Sequence, residues 1–158
     1  MRIAVGADEQ TPMTDAVIAE LRRRGHEPDL SAFPEPSKSE TDKSPSDPTW
    51  PAAARAVAEA VAAGTADEGI LFCWTGTGVS IAANKVPGIR AALCGDAETA
   101  RGARLWNNAN VLCLSLRRTS EAVAREILDA WFDTSFVPND TDNACLAQLE
   151  AIEQTYRQ

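Results

Sequence analysis

The sequence contains little histidine, tyrosine and methionine, and its acidic residues outnumber its basic ones. Its 158 residues include one histidine (His26), one tyrosine, two methionines, 15 basic residues and 23 acidic residues, with a formal net charge of -8. A surface with this charge repels phosphate backbones and anionic lipid headgroups. We therefore expect no nucleic-acid partner and no membrane partner, and we expect a small molecule or another protein chain instead.

The sequence also lacks the paired cysteines and histidines of a metal cluster. It contains no Cys-x-x-Cys pair, and a single histidine cannot anchor a conventional zinc site. Three of the four cysteines, Cys73, Cys94 and Cys113, lie in or beside apolar runs. A free cysteine in such a run usually packs as a small hydrophobic residue. The sequence therefore predicts no metal site.

Long apolar runs are absent as well. No stretch approaches the roughly 20 apolar residues that cross a bilayer, and the apolar run in "MRIAVGAD" is too short for a signal peptide. These features favour a soluble protein in the reducing cytoplasm. A chain of 158 residues can bury a hydrophobic core without disulfide or metal support, so we expect one domain.

What is present is an alternation of short apolar runs with segments of helical periodicity. Strands are predicted at 2–8, 29–33, 68–73, 89–94 and 110–116. Helices are predicted at 11–24, 52–63, 80–86, 96–106, 120–133 and about 143–156. Strands that alternate with helices form right-handed crossovers and a parallel sheet that is covered on both faces. The pattern therefore predicts an α/β fold.

One segment interrupts this alternation. Residues 34–51, "PEPSKSETDKSPSDPTWP", are rich in proline, serine and charge. Such a composition cannot bury enough apolar surface to form a packed element. We expect a mobile loop at about 34–49 within the single domain.

Ligands of parallel α/β sheets bind beyond the carboxyl ends of the strands, where we expect the loops 6–10, 73–78 and 95–96. The loop 73–78, "CWTGTG", leaves a strand and enters a helix, so its backbone N–H groups can face an anion. Its glycines allow backbone and ligand to approach closely. The third glycine of a dinucleotide motif is replaced by Ile81, which argues against a nucleotide site. A small-anion site and a structural turn both remain open.

Cys73 and Thr75 have two interpretations each. Cys73 could simply pack at the end of its strand, or its thiol could face oriented amides, ionise readily and act as a base or nucleophile. Thr75 could bind a substrate oxygen or act only as a local cap. The position of Cys73 at the ligand edge favours its chemical role, while both interpretations of Thr75 remain open.

The residues 69–117 resemble the central block of the ribose-5-phosphate isomerase B and galactose-6-phosphate isomerase family, and "IAVGAD" resembles its first strand and loop. The segment "SIAANKVPGIRAALC" is the most specific part, and the resemblance covers about half of the chain closely. It implies a Rossmann-like three-layer α/β/α sandwich with a five-stranded, mostly parallel sheet. It also implies homodimers with shared active sites, and aldose–ketose isomerisation of sugar phosphates through an enediolate, without metal or organic cofactor.

The resemblance also assigns candidate site residues. It implies that Cys73 is the catalytic base, that Thr75 is the hydroxyl residue of the same loop, and that Asp8 is the aspartate after the first strand. Glu9 is a further catalytic candidate next to Asp8. The candidate substrate-binding residues are Trp74, Gly76, Thr77, Gly78, Trp106, Asn107 and Arg117, of which the arginine is expected to reach the ligand phosphate from the partner subunit.

Four departures from the family pattern modify this site. Glu9 replaces a histidine that contacts the sugar, Trp106 replaces a histidine that helps open the sugar ring, and Trp74 replaces a loop glycine. The tail "FVPNDTDNACLAQLEAIEQ" lacks the usual histidine and arginines. The tryptophans supply flat apolar faces that could stack on a sugar or an aromatic ligand, or they could simply fill volume.

Three functions follow. The first is an aldose–ketose isomerase of a pentose phosphate or related sugar phosphate, including a short-chain sugar phosphate that needs no ring opening. The second is an isomerase of an unphosphorylated or aromatic-linked carbonyl compound. The third is a non-catalytic sugar-binding homodimer. Whether dimers pair further into tetramers stays open.

Overall fold

A computed structural model describes residues 1–34 and 48–157 of the chain. The strands are β1 (Arg2–Ala7), β2 (Glu27–Ala32), β3 (Glu68–Cys73), β4 (Ala91–Leu93) and β5 (Val111–Ser115). The helices are α1 (Pro12–Arg23), α2 (Trp50–Ala62), α3 (Thr77–Ala83), α4 (Ala97–Asn107), α5 (Glu121–Asp133) and α6 (Asp140–Thr155). Within the described ranges, no helix is both long and apolar enough to span a membrane.

The strands form one parallel sheet in the order β2-β1-β3-β5-β4. Successive side chains of a strand point to opposite faces, and β3 shows this clearly. Ile70 and Phe72 pack into the core on the face that carries α1, α4 and α5. Leu71 and Cys73 pack into a second core under α2 and α3. The predicted three-layer α/β/α sandwich is therefore confirmed.

Three helices begin earlier than the sequence pattern predicts. Helix α3 begins at Thr77, because Gly76 precedes it in the left-handed region at φ 75°. Helix α2 begins at Trp50, since the proline that follows fits the first turn of a helix. Helix α6 begins at Asp140, where the Asn139 side chain accepts a hydrogen bond from the Asp142 N–H. The loop predicted at about 34–49 lies, apart from its two ends, outside the described residues.

The two edges of the sheet are used differently. We call the edge at which the strands end the carboxyl edge, and the edge at which they begin the amino edge. At the amino edge, the Glu68 carboxylate lies 2.7 Å from an Arg104 guanidinium nitrogen and accepts a hydrogen bond from the Trp131 indole at 2.6 Å. This buried carboxylate joins β3 to α4 and α5 at the amino edge. The loops that follow the strands lie at the carboxyl edge.

Candidate active site

The loop after β3 lies at the centre of the carboxyl edge and is fixed by its backbone. The Cys73 carbonyl accepts hydrogen bonds from the Gly76 N–H at 3.2 Å and from the Leu116 N–H at 3.0 Å. The Trp74 carbonyl accepts one from the Arg117 N–H at 3.0 Å. The loop is thus tied to the residues that leave β5, so Arg117 lies in the segment next to the Cys73 loop of its own chain. This position lets Arg117 serve the Cys73 site of its own chain, whereas the resemblance implies that it reaches the phosphate from the partner subunit.

Gly76 is required for this loop. Its φ of 75° lies in the region that L side chains rarely adopt, and a Cβ atom there would lie 2.5 Å from Leu93 Cδ1 and 3.0 Å from the Leu114 carbonyl carbon. Helix α3 starts at the next residue, and the first-turn N–H groups of a helix have no partner within it. The tight turn therefore places these donors close behind Cys73.

Cys73 is slightly more exposed than the two other buried cysteines, at 6% against 1% for Cys94 and 0% for Cys113. Burial raises the pKa of Cys94 to about 12, and burial likewise raises the pKa of Cys113, so neither thiol is suited to form a thiolate. Cys73 is 6% exposed and is the last residue of its strand. Its side chain is therefore packed in the core, and its backbone leads directly into the loop.

Polar residues follow Cys73 in its own loop and also follow the neighbouring strand β1. The hydroxyl oxygens of Thr75 and Thr77 lie 2.6 Å apart, on exposed residues. On the neighbouring strand, Ala7 pairs with Phe72, which places Asp8 next in line beside Cys73. Asp8 and Glu9 are half-buried. The carboxyl edge thus brings a thiol, hydroxyls and carboxylates together.

Trp106 and Asn107 do not join this group within one copy of the chain. They end α4, which runs from the carboxyl edge back to the amino edge. Shortly after them, the Asn110 carbonyl accepts a hydrogen bond from the Gly69 N–H. About 13 Å of strand separates Gly69 from Cys73 at roughly 3.3 Å per residue. The candidate residues therefore form two half-sites at opposite edges of the sheet.

The surroundings of these two residues are exposed. The Trp106 ring lies against Gly102, where a Cβ atom would be 2.8 Å from the ring, and 59% of Trp106 remains exposed. A groove of about 890 Å³ runs between α6 and the amino edge, and Asn107 lines it. Trp74 at the other edge is 61% exposed. Both tryptophans present open aromatic surface.

Sequence reasoning missed two residues at the carboxyl edge. Trp50 lies on Gly78, where a Cβ atom would be 3.1 Å from its ring. Ser115 is buried and donates a hydrogen bond to the Trp74 carbonyl at 3.0 Å. The helix predicted from residue 52 left Trp50 in the preceding loop, and Ser115 is an ordinary strand residue in sequence. No group of three histidine, cysteine, aspartate or glutamate side chains suited to a metal occurs among residues 1–34 and 48–157.

The profile of the ribose/galactose isomerase family matches residues 3–149. The chain is 44% identical over 95 residues to D-erythrulose-4-phosphate isomerase of Pectobacterium atrosepticum, a match that covers 60% of this chain and 62% of the relative. It is 33% identical to ribose-5-P isomerase B of Listeria innocua over 99% of this chain and 100% of the relative.

A solved structure shows the same arrangement over the whole chain. Ribose-5-phosphate isomerase B of Clostridium thermocellum superposes with a TM-score of 0.85 at 33% identity, over 99% of both chains. Fold, family profile and full-length similarity agree with the resemblance in 69–117. This chain is a member of the ribose/galactose isomerase family.

Proposed function

We propose that this protein is a cofactor-independent aldose–ketose isomerase of a sugar phosphate, with Cys73 as the base. The observation that carries the proposal is the carboxyl-edge cluster, in which Cys73 ends β3 beside Asp8 and behind the loop built on Gly76. The relatives named as sugar-phosphate isomerases support it. We expect the enzyme to act in the cytoplasm, where free thiols stay reduced.

The proposed reaction moves one proton between neighbouring carbons. The Cys73 thiolate removes the proton from the carbon beside the carbonyl, and the electron pair forms an enediolate. The loop N–H groups stabilise the oxyanion, while Thr75, Asp8 and Glu9 move the hydroxyl proton between the two oxygens. The Cys73 thiol then returns its proton to the neighbouring carbon, so substrate and product have the same atoms.

We further propose that two copies of the chain complete each site. Trp106 and Asn107 lie at the amino edge and Cys73 at the carboxyl edge, so one copy cannot bring them to one substrate. In a symmetric dimer, each surface can receive the other. A homodimer is the smallest assembly that completes the site, and a tetramer would contain two such dimers.

The proposed substrate is a short sugar phosphate that stays open. The Trp106 indole can donate a hydrogen bond but cannot accept a proton, so it cannot replace a ring-opening histidine. A four-carbon ketose 4-phosphate has no fifth carbon hydroxyl with which to close a ring, and the hydroxyl of its aldose isomer is esterified. The similarity to a D-erythrulose-4-phosphate isomerase supports this substrate class.

Proton exchange in heavy water, followed by NMR, tests the proposal. We expect the wild-type protein to exchange the proton beside the carbonyl of D-erythrulose 4-phosphate faster than that of ribose 5-phosphate. Cys73→Ala should lower the rate by about 10²- to 10⁴-fold, the usual contribution of a positioned base. Cys145→Ser, an exposed cysteine on α6, is the matched control.

Two results would redirect the proposal. Equal exchange with unphosphorylated erythrulose would favour the second function, an isomerase of unphosphorylated carbonyl compounds. Binding of the sugar without exchange in any member of the panel would favour the non-catalytic homodimer.

Mixing two inactive variants tests the shared site. Cys73→Ala and Asn107→Ala disable different half-sites, so a mixed dimer keeps one intact site. After subunit exchange at equal concentrations, we expect about a quarter of the wild-type activity to return. If both half-sites came from one chain, each mixed dimer would keep no intact site and activity would not return.

A further inference from the structure

Ser115 is a buried polar residue that contacts two segments of the carboxyl edge. It is 8% exposed and is the last residue of β5, directly opposite Cys73 in the parallel pairing. Its hydroxyl donates a hydrogen bond to the Trp74 carbonyl at 3.0 Å. The same oxygen accepts a hydrogen bond from the Arg118 N–H at 3.2 Å.

These two hydrogen bonds join a loop that carries the candidate base to a turn that carries two cations. Trp74 belongs to the loop that carries Cys73 and the Gly76 turn. Arg117 and Arg118 form the turn after β5, and both are exposed, so their cations are available to an anionic ligand. The hydroxyl of Ser115 therefore connects the loop that carries Cys73 to a turn that carries two positive charges.

The surrounding backbone makes this connection rigid. The Arg117 N–H also bonds to the Trp74 carbonyl, and the Thr119 N–H bonds to the Ser115 carbonyl at 3.0 Å. The Trp74 carbonyl would thus keep one partner without the Ser115 hydroxyl. The Arg118 N–H would lose its acceptor, and the arginine turn could then shift relative to the loop.

We infer that Ser115 is a positioning residue that holds the Cys73 loop at a fixed distance from the Arg117–Arg118 turn. Resting on the proposed isomerase function, this inference means that one substrate can place its carbonyl at Cys73 and its phosphate at the arginines simultaneously. Small errors in such placement are costly, since a shift of about 1 Å can lower a rate by about 100-fold.

The test compares Ser115→Ala with Ser115→Thr, which keeps the hydroxyl. With the sugar phosphate that the wild-type protein turns over, we expect Ser115→Ala to lower kcat/KM by about 10-fold or more. Ser115→Thr should stay within about threefold of the wild type. Inhibition by inorganic phosphate should change by less than about twofold in Ser115→Ala, because phosphate alone needs the arginines but not their distance from Cys73.

Three kinetic results would overturn the inference. They are a Ser115→Ala enzyme within threefold of the wild type, a Ser115→Thr enzyme as impaired as Ser115→Ala, and phosphate inhibition that weakens in parallel with kcat/KM. The last result would mean that Ser115 only builds the arginine turn.

A second measurement tests the geometry without turnover. Amide hydrogen exchange at Arg118 should become at least about tenfold faster in Ser115→Ala than in the wild type, and unchanged exchange would overturn the inference. If the wild-type protein turned over no sugar phosphate, the proposed function would fail, while exchange at Arg118 would still decide whether Ser115 holds the turn.

Discussion

The two ends of strand β3 differ in the bonding of their polar residues. At the amino edge, Glu68 is bonded to Arg104 and to Trp131, and the Arg104 guanidinium stacks over the Trp131 ring at 5.0 Å. At the carboxyl edge, Cys73 leads into a loop held by its backbone, with exposed side chains. Bonded polar groups at one end fix the strand, which leaves the other end free for chemistry.

Arg104 strengthens this contrast because it uses most of its donors. It donates to the Ala109 carbonyl at 2.5 Å and to the Thr134 carbonyl at 3.3 Å, in addition to its ion pair with Glu68. Burial raises the pKa of Glu68 above its ordinary value, and Arg104 limits that rise. This enclosed ion pair stabilises the fold, and it has few hydrogen-bonding groups without a partner that could bind a substrate.

The largest effect on stability is expected from Glu68→Gln. The change leaves the half-buried Arg104 cation without its carboxylate, which costs about 3 kcal/mol of the free energy of unfolding. Urea unfolding measures it. Glu121→Gln is the matched control, because its pair with Arg125 lies on the surface at 3.8 Å and should contribute less than about 1 kcal/mol. Equal losses in the two variants would remove the contrast between the edges.

Gly76→Ala should show an intermediate effect on stability and a large one on activity. The left-handed φ and the contacts with Leu93 and Leu114 should together cost about 2 kcal/mol, and the displaced loop should lower kcat/KM by about tenfold or more. Gly25→Ala is the control, because its φ is 80° but nothing lies within 4 Å of an added Cβ atom. A Gly76→Ala protein with normal activity would contradict the role of the loop.

The smallest effect is expected from Glu20, near the end of α1. Hydrogen bonds from Arg23, and then from Arg24, lower the pKa of Glu20 from 4.5 to about 2. A lowered carboxylate pKa stabilises the fold above pH 4.5, and this contribution is lost as the pH falls from 4.5 toward 2. Glu20→Gln should cost about 1 kcal/mol at pH 7. The difference from the wild type should shrink across that window, and a constant difference would contradict the assignment.

Much of the fold could be predicted from the sequence because its signals are local. The run 68–73 is apolar and bounded by turn residues, and it forms β3 with the predicted bounds. The boundary of α3 was harder to predict, because it depends on the left-handed Gly76, which is crowded by the Leu93 side chain from β4 and by the Leu114 backbone from β5. Local sequence does not contain those neighbours.

The candidate site could be predicted only in part for a similar reason. Cys73 and its loop follow from strand order and loop composition. The hydrogen bond from Ser115 to Trp74 joins residues 41 positions apart, and the packing of Trp50 on Gly78 likewise depends on tertiary structure. The placement of Trp106 at the amino edge does follow from topology, since a helix that leaves the carboxyl edge of a parallel sheet must return to the other edge.

Strand β3 also sets a limit on insertions and deletions. Because side chains alternate between the faces, a slip of one residue would turn every side chain of the strand to the opposite face. Cys73 would then leave the core under α2 and α3, and Glu68 would lose its alignment with Arg104. The length and register of β3 are therefore fixed from both ends, and an added residue between Glu68 and Cys73 would disrupt the fold and the site together.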